Sequence, residues 1–210
     1  MITLNKIRRS KAINAKAKKW ARDNLDYLNS KNRLLGSSLK VEKGEKEGYY
    51  TSIMYLQPAD KIATVTLCAG AKLIIYLLDK ARFFEMLTKE IERKHIFFGA
   101  KLAIRLNGTS DIDFTDFIAS MPHIRFYDYS KVFYKVKNNK LANYDLTYSG
   151  SAYSAKSLAI TARAVLKGLR VAIAFNTGER LGEFKIPSDI ADFDTTDLRF
   201  LDKPVLGALK

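Results

Sequence analysis

Between Lys101 and Phe175 the chain repeats one alternation: a short apolar run, a polar cluster, a helix-length segment, then another apolar run. The runs cover residues 102–106, 124–126, 143–147 and 171–175. Runs this short, closed by turn-forming residues, suit buried strands better than helices. Strand, helix, strand in this rhythm demands right-handed crossovers and builds a mainly parallel sheet with flanking helices. The expected fold is therefore α/β, either a partial or irregular (β/α) barrel or an open doubly wound sheet. In both, ligands bind outside the carboxyl ends of the strands. The polar clusters stand at those ends: Asn107-Gly108-Thr109-Ser110-Asp111, Tyr127-Asp128-Tyr129-Ser130-Lys131, Tyr148-Ser149-Gly150-Ser151 and Asn176-Thr177-Gly178.

Each cluster has a structural account beside a functional one. Asn107 before Gly108 suits a left-handed turn, or a hydrogen bond to a ligand. Asp113 suits a helix cap, which leaves Asp111 as the carboxylate without an evident structural task. Tyr127, Tyr129 and Lys131 share one face of an extended segment, and two phenols with an ammonium suit phosphate or carboxylate. Ser149 precedes a helix start, where N–H groups and hydroxyls favour anions. Asp197 and Arg199, with Asp194, form an acidic–basic set near the C-terminus. They read as a bridge tying the chain end down, or as two carboxylates that could take a divalent cation. The candidate ligand-binding set is thus Asn107, Asp111, Tyr127, Tyr129, Lys131, Ser149, Asp197 and Arg199. No catalytic residue is identifiable. His95 and His123 stand too far apart in sequence to suggest a metal pair.

Upstream, Ile13, Ala17, Trp20, Ala21, Leu25 and Leu28 recur at helical spacing, with Ser10 placed to cap the start. Residues 1–35 read as a basic amphipathic helix and residues 36–210 as a single α/β domain. The polar stretch 36–48 reads as an exposed loop or hairpin, and residues 49–56 and 61–67 as β-prone. Asp79 is placed to cap a helix with Phe84, Leu87 and Ile91 inward, ending at Gly99. Ser151 is placed to open a long helix whose face is Ala155, Leu158, Ala159, Ala162, Val165 and Leu166. Gly168 stands at its C-terminal cap position.

Charge points to an anionic partner. Thirty-six basic residues against 22 acidic ones give a net charge of +14. That suits nucleic acid, an anionic ligand or an acidic protein, and a solubilising surface explains it as well. Arg8, Arg9, Lys11, Lys18 and Arg22 line the polar side of the N-terminal helix. Lys135 and Lys137, interleaved with Phe133 and Tyr134, make a second basic stretch of the kind single-strand binders use. The competing view of that stretch is a solvated loop. The single cysteine, Cys68, excludes an internal disulfide and a cysteine-built metal site, so no cofactor and no metal are expected. No apolar run reaches the ~18 residues of a membrane span. With no apolar signal core at the N-terminus, the cytoplasm is the expected location.

The segment "LAIRLNGTSDID" from Leu102 resembles a hallmark of the gene product 88-like family of bacteriophage proteins. "FYDYSK" from Phe126, "NYDLTYSGS" from Asn143, "RVAIAF" from Arg170 and "DTTDLRFLD" from Asp194 resemble its later blocks, in the same order. The resemblance covers residues 50–210 and implies a phage accessory protein of unassigned role. Its phage origin adds a further alternative, an inhibitor of host defence. Members of the family typically carry a cysteine-rich stretch after a Thr-Cys-Pro-Gly-like motif. Here "TLCAGAK" has Ala69 in place of the proline and the further cysteines are absent, so a metal or cluster held there by relatives would find only the Cys68 thiolate, too few ligands to hold it. Two readings stand: binding of an anionic partner through the basic surface, or an enzyme or small-ligand site for a phosphate-bearing molecule at the strand ends.

Overall fold

The structure, a computed structural model, describes residues 1–36, 47–56, 67–174, 191–193, 197–203 and 206–209. The strands are β1 (Tyr50–Ile53), β2 (Leu102–Arg105), β3 (Arg125–Ser130), β4 (Tyr144–Gly150), β5 (Val171–Ala174), β6 (Ala191–Asp192) and β7 (Leu206–Leu209). They form one sheet in the order β1-β2-β3-β4-β5-β7-β6, and every pairing is parallel. Between them run α4 (Leu67–Leu78) and α5 (Lys80–Phe98), α6 (Thr115–Ala119), α7 (Phe133–Asn138) and α8 (Ala155–Leu166). The α/β class and the parallel sheet read from the sequence are what the chain forms.

Alternation along the strands fixes two faces. Leu102 and Ile104 of β2, Phe126 of β3 and Tyr144 of β4 join the large core with the helices. Phe133, Val136, Tyr148, Ala164 and Val171 continue that layer under α7 and α8. Ala103 and Tyr127 point the other way, against Leu198, Tyr49 and Phe200. Among the described residues the α-helices that pack on the sheet do so on the first of these faces. The second face is instead covered by the C-terminal segment.

Helix α5 lays Phe83, Leu87 and Ile91 into the core, each fully buried. A buried side chain of this size contributes about 1.5–3 kcal/mol, so this stripe anchors the helix layer. Gly99 leaves α5 at φ 53° and Gly168 leaves α8 at φ 68°, a region other residues adopt at a cost.

The N-terminal segment forms three short helices rather than one: α1 (Leu4–Arg9), α2 (Ala15–Asp23) and α3 (Leu25–Ser30). The cap of α2 is Asn14, whose Oδ1 accepts from the Ala17 N–H, and Ser10 instead closes α1. Asn24 breaks the run: its N–H and Nδ2 both donate to the Trp20 carbonyl. Ile7, Ala17, Ala21 and Leu28 belong to the same core as β2 and α5.

Other boundaries shift too. Cys68–Ala71 are helical, within α4. Strand β4 runs on to Gly150, so Ser151 does not cap α8; Ser154 does, in a reciprocal capping box with Ser157. The basic stretch after β3 is the helix α7, with Phe133 and Val136 buried. Asp79 stands at the start of α5 but pairs with the Met1 amino group and Lys6, both at 3.5 Å. Burial opposes its charge, yet Lys6, the Arg82 N–H and the Met1 amino group together outweigh burial and hold the Asp79 carboxyl below its ordinary value. The fourth polar cluster, Asn176-Thr177-Gly178, and the β-prone residues 61–66 lie outside the described residues, as does most of the 36–48 connection.

Candidate functional site

The sheet separates the candidate residues into two groups, on different faces. At the end of β2, Asn107 is 2% exposed and fully engaged. Its N–H donates to Asp128 Oδ1 at 2.8 Å, its Nδ2 to the Ile112 carbonyl at 3.0 Å, and its Oδ1 accepts from Ile112 N–H and Ser110 Oγ. The next residue, Gly108, approaches β1 so closely that a Cβ would lie 2.8 Å from the Met54 carbonyl oxygen. Asp111 does have a structural task. It accepts from Ser130 Oγ at 2.8 and 2.9 Å, from the Lys131 N–H at 2.9 Å and from Lys135 Nζ at 2.9 Å. This ties the β2 loop to the end of β3 and spends the Lys135 charge. The Lys131 side chain itself is exposed. Asp113 accepts from the N–H and hydroxyl of Thr115, which hold its carboxyl below the ordinary range; Phe114 occupies the cap position of α6.

Asp128 is wholly buried between the two groups. Burial pushes its carboxyl up to about 6, against the opposing pull of the Asn107 N–H, Arg105 and the Tyr144 hydroxyl. A raised carboxyl binds its proton in the folded state before the unfolded one does. Its penalty on folding is therefore absent below the unfolded value near 4 and complete above pH 6. Between pH 5 and pH 7 Asp128 is expected to lower stability by roughly 1 kcal/mol. Urea unfolding at both pH values, repeated with Asp128→Asn, checks this: the substitution should flatten the pH slope, and an unchanged slope assigns it elsewhere.

The second group lies between the sheet and the C-terminal segment. Arg105 Nη1 donates to Asp197 Oδ2 at 2.7 Å, and the Arg105 guanidinium lies over the Tyr129 ring at 4.7 Å. Burial alone would lower the Arg105 value, but Asp197 and Asp128 outweigh it and raise it. Arg199 is 1% exposed; it lies 3.1 Å from Asp202 and stacks over the Phe193 ring at 3.9 Å. Arg170 bonds Asp145 and donates to the Asp202 carbonyl at 2.7 Å. Burial, with the Asp197 charge, pushes both Tyr127 and Tyr129 above the ordinary phenol range. Tyr127, Tyr129, Asp197 and Arg199 are thus brought together, and Arg105 joins them, a residue sequence reading passed over inside an apolar strand. The arrangement is an ion-paired seam that fastens the chain end to the sheet. Ser149 sits one strand further along the same face, level with Ala172. Asp194 is not among the described residues.

Of the basic candidates, Arg8, Arg9 and Arg22 are exposed on the N-terminal helices and Lys11 on the connection between α1 and α2, and Lys18 Nζ donates to the Arg8 carbonyl at 3.1 Å. Lys137 lies 6.0 Å from the centre of the Tyr134 ring. These residues form no enclosed site.

A groove of about 860 Å³ lies elsewhere, between residues 29–36, α5 and the edge strand β1. Lys31, Arg33, Lys89, Arg93 and Lys94 line it, with Glu90 as its acid. Glu90 is occupied: Oε2 accepts from the N–H groups of Leu34 and Leu35 at 2.8 and 3.1 Å. Arg82 shapes the wall by donating to the Asn29 and Lys31 carbonyls, both at 2.9 Å. Two aromatic rings in its lining are exposed: Phe97 by 77%, and Tyr50, stacked on Phe98 at 4.1 Å, by 40%. The sequence signal was available: Arg82, Met86, Lys89, Arg93 and Phe97 recur at helical spacing beside the buried stripe of α5. His95 and His123 are also brought together, with ring centres 5.1 Å apart and His123 Nε2 3.1 Å from Glu92 Oε1. Among the described residues no group of His, Cys, Asp and Glu is arranged to hold a metal ion, and no helix is long and apolar enough to cross a membrane.

No curated protein and no solved structure matches the chain. The sequence profile of one family, Gene product 88, matches residues 71–210, which takes in every strand of the sheet but β1. With most of its length matched, the chain belongs to the Gene product 88 family of phage proteins.

Proposed function

We propose that this protein is a phage accessory protein that binds single-stranded nucleic acid in the groove beside β1. The observation that carries the reading is a channel lined both by the exposed rings of Phe97 and Tyr50 and by Arg33, Arg93 and Lys94. A single strand needs cations along its backbone and ring faces for its bases, and a stacked base contributes about 1–3 kcal/mol. The one acid lining the channel, Glu90, turns Oε2 onto backbone N–H groups, and Lys31, Arg33, Lys89, Arg93 and Lys94 outnumber its charge. The net charge of +14 adds long-range attraction.

Fluorescence anisotropy with a labelled oligothymidylate tests this at low salt. Binding should weaken with salt along a log–log slope of about −2, as expected for some three phosphate contacts. Arg33→Glu with Arg93→Glu should weaken it strongly, and Phe97→Ala by about tenfold. No binding at low salt sinks the proposal. Equal loss for oligonucleotide and heparin in Phe97→Ala would leave a polyanion site with no stacking role.

A second reading is a small-ligand site on the second face. The Tyr127 and Thr147 hydroxyls are buried there with no hydrogen-bond partner among the described residues, which is uncommon for buried polar groups. A nucleotide raising the melting temperature in wild type but not in Tyr127→Phe would support it.

A further inference from the structure

We infer that the outward face of α8 is a docking surface for an acidic amphipathic helix of a partner protein. Ala155, Leu158, Ala159, Ala162, Val165 and Leu166 recur at the spacing that normally seats a helix on a core. Here they face out: Leu158 is 52% exposed, Val165 40% and Leu166 86%. The side turned to the sheet carries Thr161 and Ala164, both buried. Close approach explains the choice of small residues there, since a Cβ on Gly150 of β4 would lie 2.8 Å from Thr161 Cγ2. Thr161 Oγ1 also accepts from the Ser151 N–H, and its hydroxyl lies within donating distance of the Ser151 carbonyl just after β4 and of the Ser157 carbonyl in its own helix. The helix is therefore held in this orientation by Ala164 and Ile160 in the apolar layer and by the Thr161 hydrogen bonds, and among the described residues nothing covers its apolar stripe.

The surroundings of the stripe are those of an interface centre. Tyr153, just before α8, is 99% exposed, and Tyr134 of the adjacent α7 is 58% exposed. Arg163 lies over the Phe133 ring at 5.3 Å, and that ring meets Tyr134 edge-on. Tyrosine and arginine are the residues that most often carry binding energy at such surfaces. Charge selects the occupant. Lys156, Arg163 and Lys167 flank the stripe and α8 contains no acid. Two copies packed through this face would bring those cations together on chains of net charge +14. A helix with an apolar stripe and Glu or Asp along its margins satisfies both the stripe and the rim.

The probe is a synthetic helix with Leu at the stripe positions and Glu on its margins, compared with a twin carrying Lys for Glu. The full chain should bind the acidic helix, and Leu158→Glu or Leu166→Glu should weaken binding by at least tenfold while leaving the melting curve unchanged. The Lys twin should not bind. The inference is overturned if the acidic helix fails to bind, if both peptides bind equally, or if binding survives Leu158→Glu and is lost in Arg33→Glu with Arg93→Glu. It is also overturned if sedimentation shows a wild-type dimer that Leu158→Glu dissolves, because a second copy then covers the face. The groove variants separate this result from nucleic-acid binding, since neither surface contains the other's residues.

Discussion

Asp197→Ala is expected to destabilise the fold by about 3–5 kcal/mol, because it leaves a buried guanidinium without its carboxylate. Arg105 is 9% exposed and Asp197 4%, and their 2.7 Å bond crosses from β2 to the C-terminal segment. The partner left behind keeps the Tyr129 ring face and a distant Asp128 at 4.0 Å, neither of which replaces a direct ion pair. The seam has no slack to compensate. Arg199 is committed to Asp202 and the Phe193 ring, and Phe193 is wedged on Gly207, where a Cβ would stand 2.2 Å from ring carbons. Removing both charges should cost less than removing one, since a buried pair exchanged for apolar groups is often neutral. Urea unfolding of Asp197→Ala, Arg105→Met and the double variant decides it. A loss under about 1 kcal/mol for Asp197→Ala would mean that water reaches Arg105 and that the seam is not closed.

That seam shows where sequence reading reached its limit. The alternation of runs and turns between Lys101 and Phe175 gave the parallel sheet, because strand length and turn chemistry are local. Arg105 was hidden inside an apolar run, and the carboxylate that makes its burial tolerable stands 92 residues away. Caps were misplaced by a few residues for a related reason. Ser151 is a good capping residue, but β4 continues to Gly150 to pair with Ile173, so the helix waits until Ser154. The apolar stripe of α8 was legible as a stripe. Its direction was not, since periodicity defines a face and says nothing of what covers it. The basic groove is assembled from three separate segments, of which the sequence marked only the helical one. The two histidines, 28 positions apart, meet because the turn before β3 lies against the last turns of α5, where His123 also reaches Glu92.

Asp111→Ala should cost about 2–3 kcal/mol, an effect that separates a structural carboxylate from a ligand-binding one. Its oxygens accept from a hydroxyl, a backbone N–H and an ammonium, and hydrogen bonds to a charged group contribute about 1.5–3 kcal/mol each in favourable cases. The carboxylate is 29% exposed, so water recovers part of that and the total falls well below the sum. The Ser130 hydroxyl passes the effect on, because it also accepts from the Val132 N–H that leads into α7. Losing Asp111 should therefore loosen the start of α7 as well as the β2 loop. Asp111→Asn keeps an acceptor for Ser130 but gives up the Lys135 ion pair, and should recover part of the loss. Hydrogen exchange at Lys131 and Val132, alongside urea unfolding, reads both effects. If Asp111→Ala leaves stability and exchange unchanged while abolishing a ligand-induced rise in melting temperature, the carboxylate belongs to a binding site and the structural account fails.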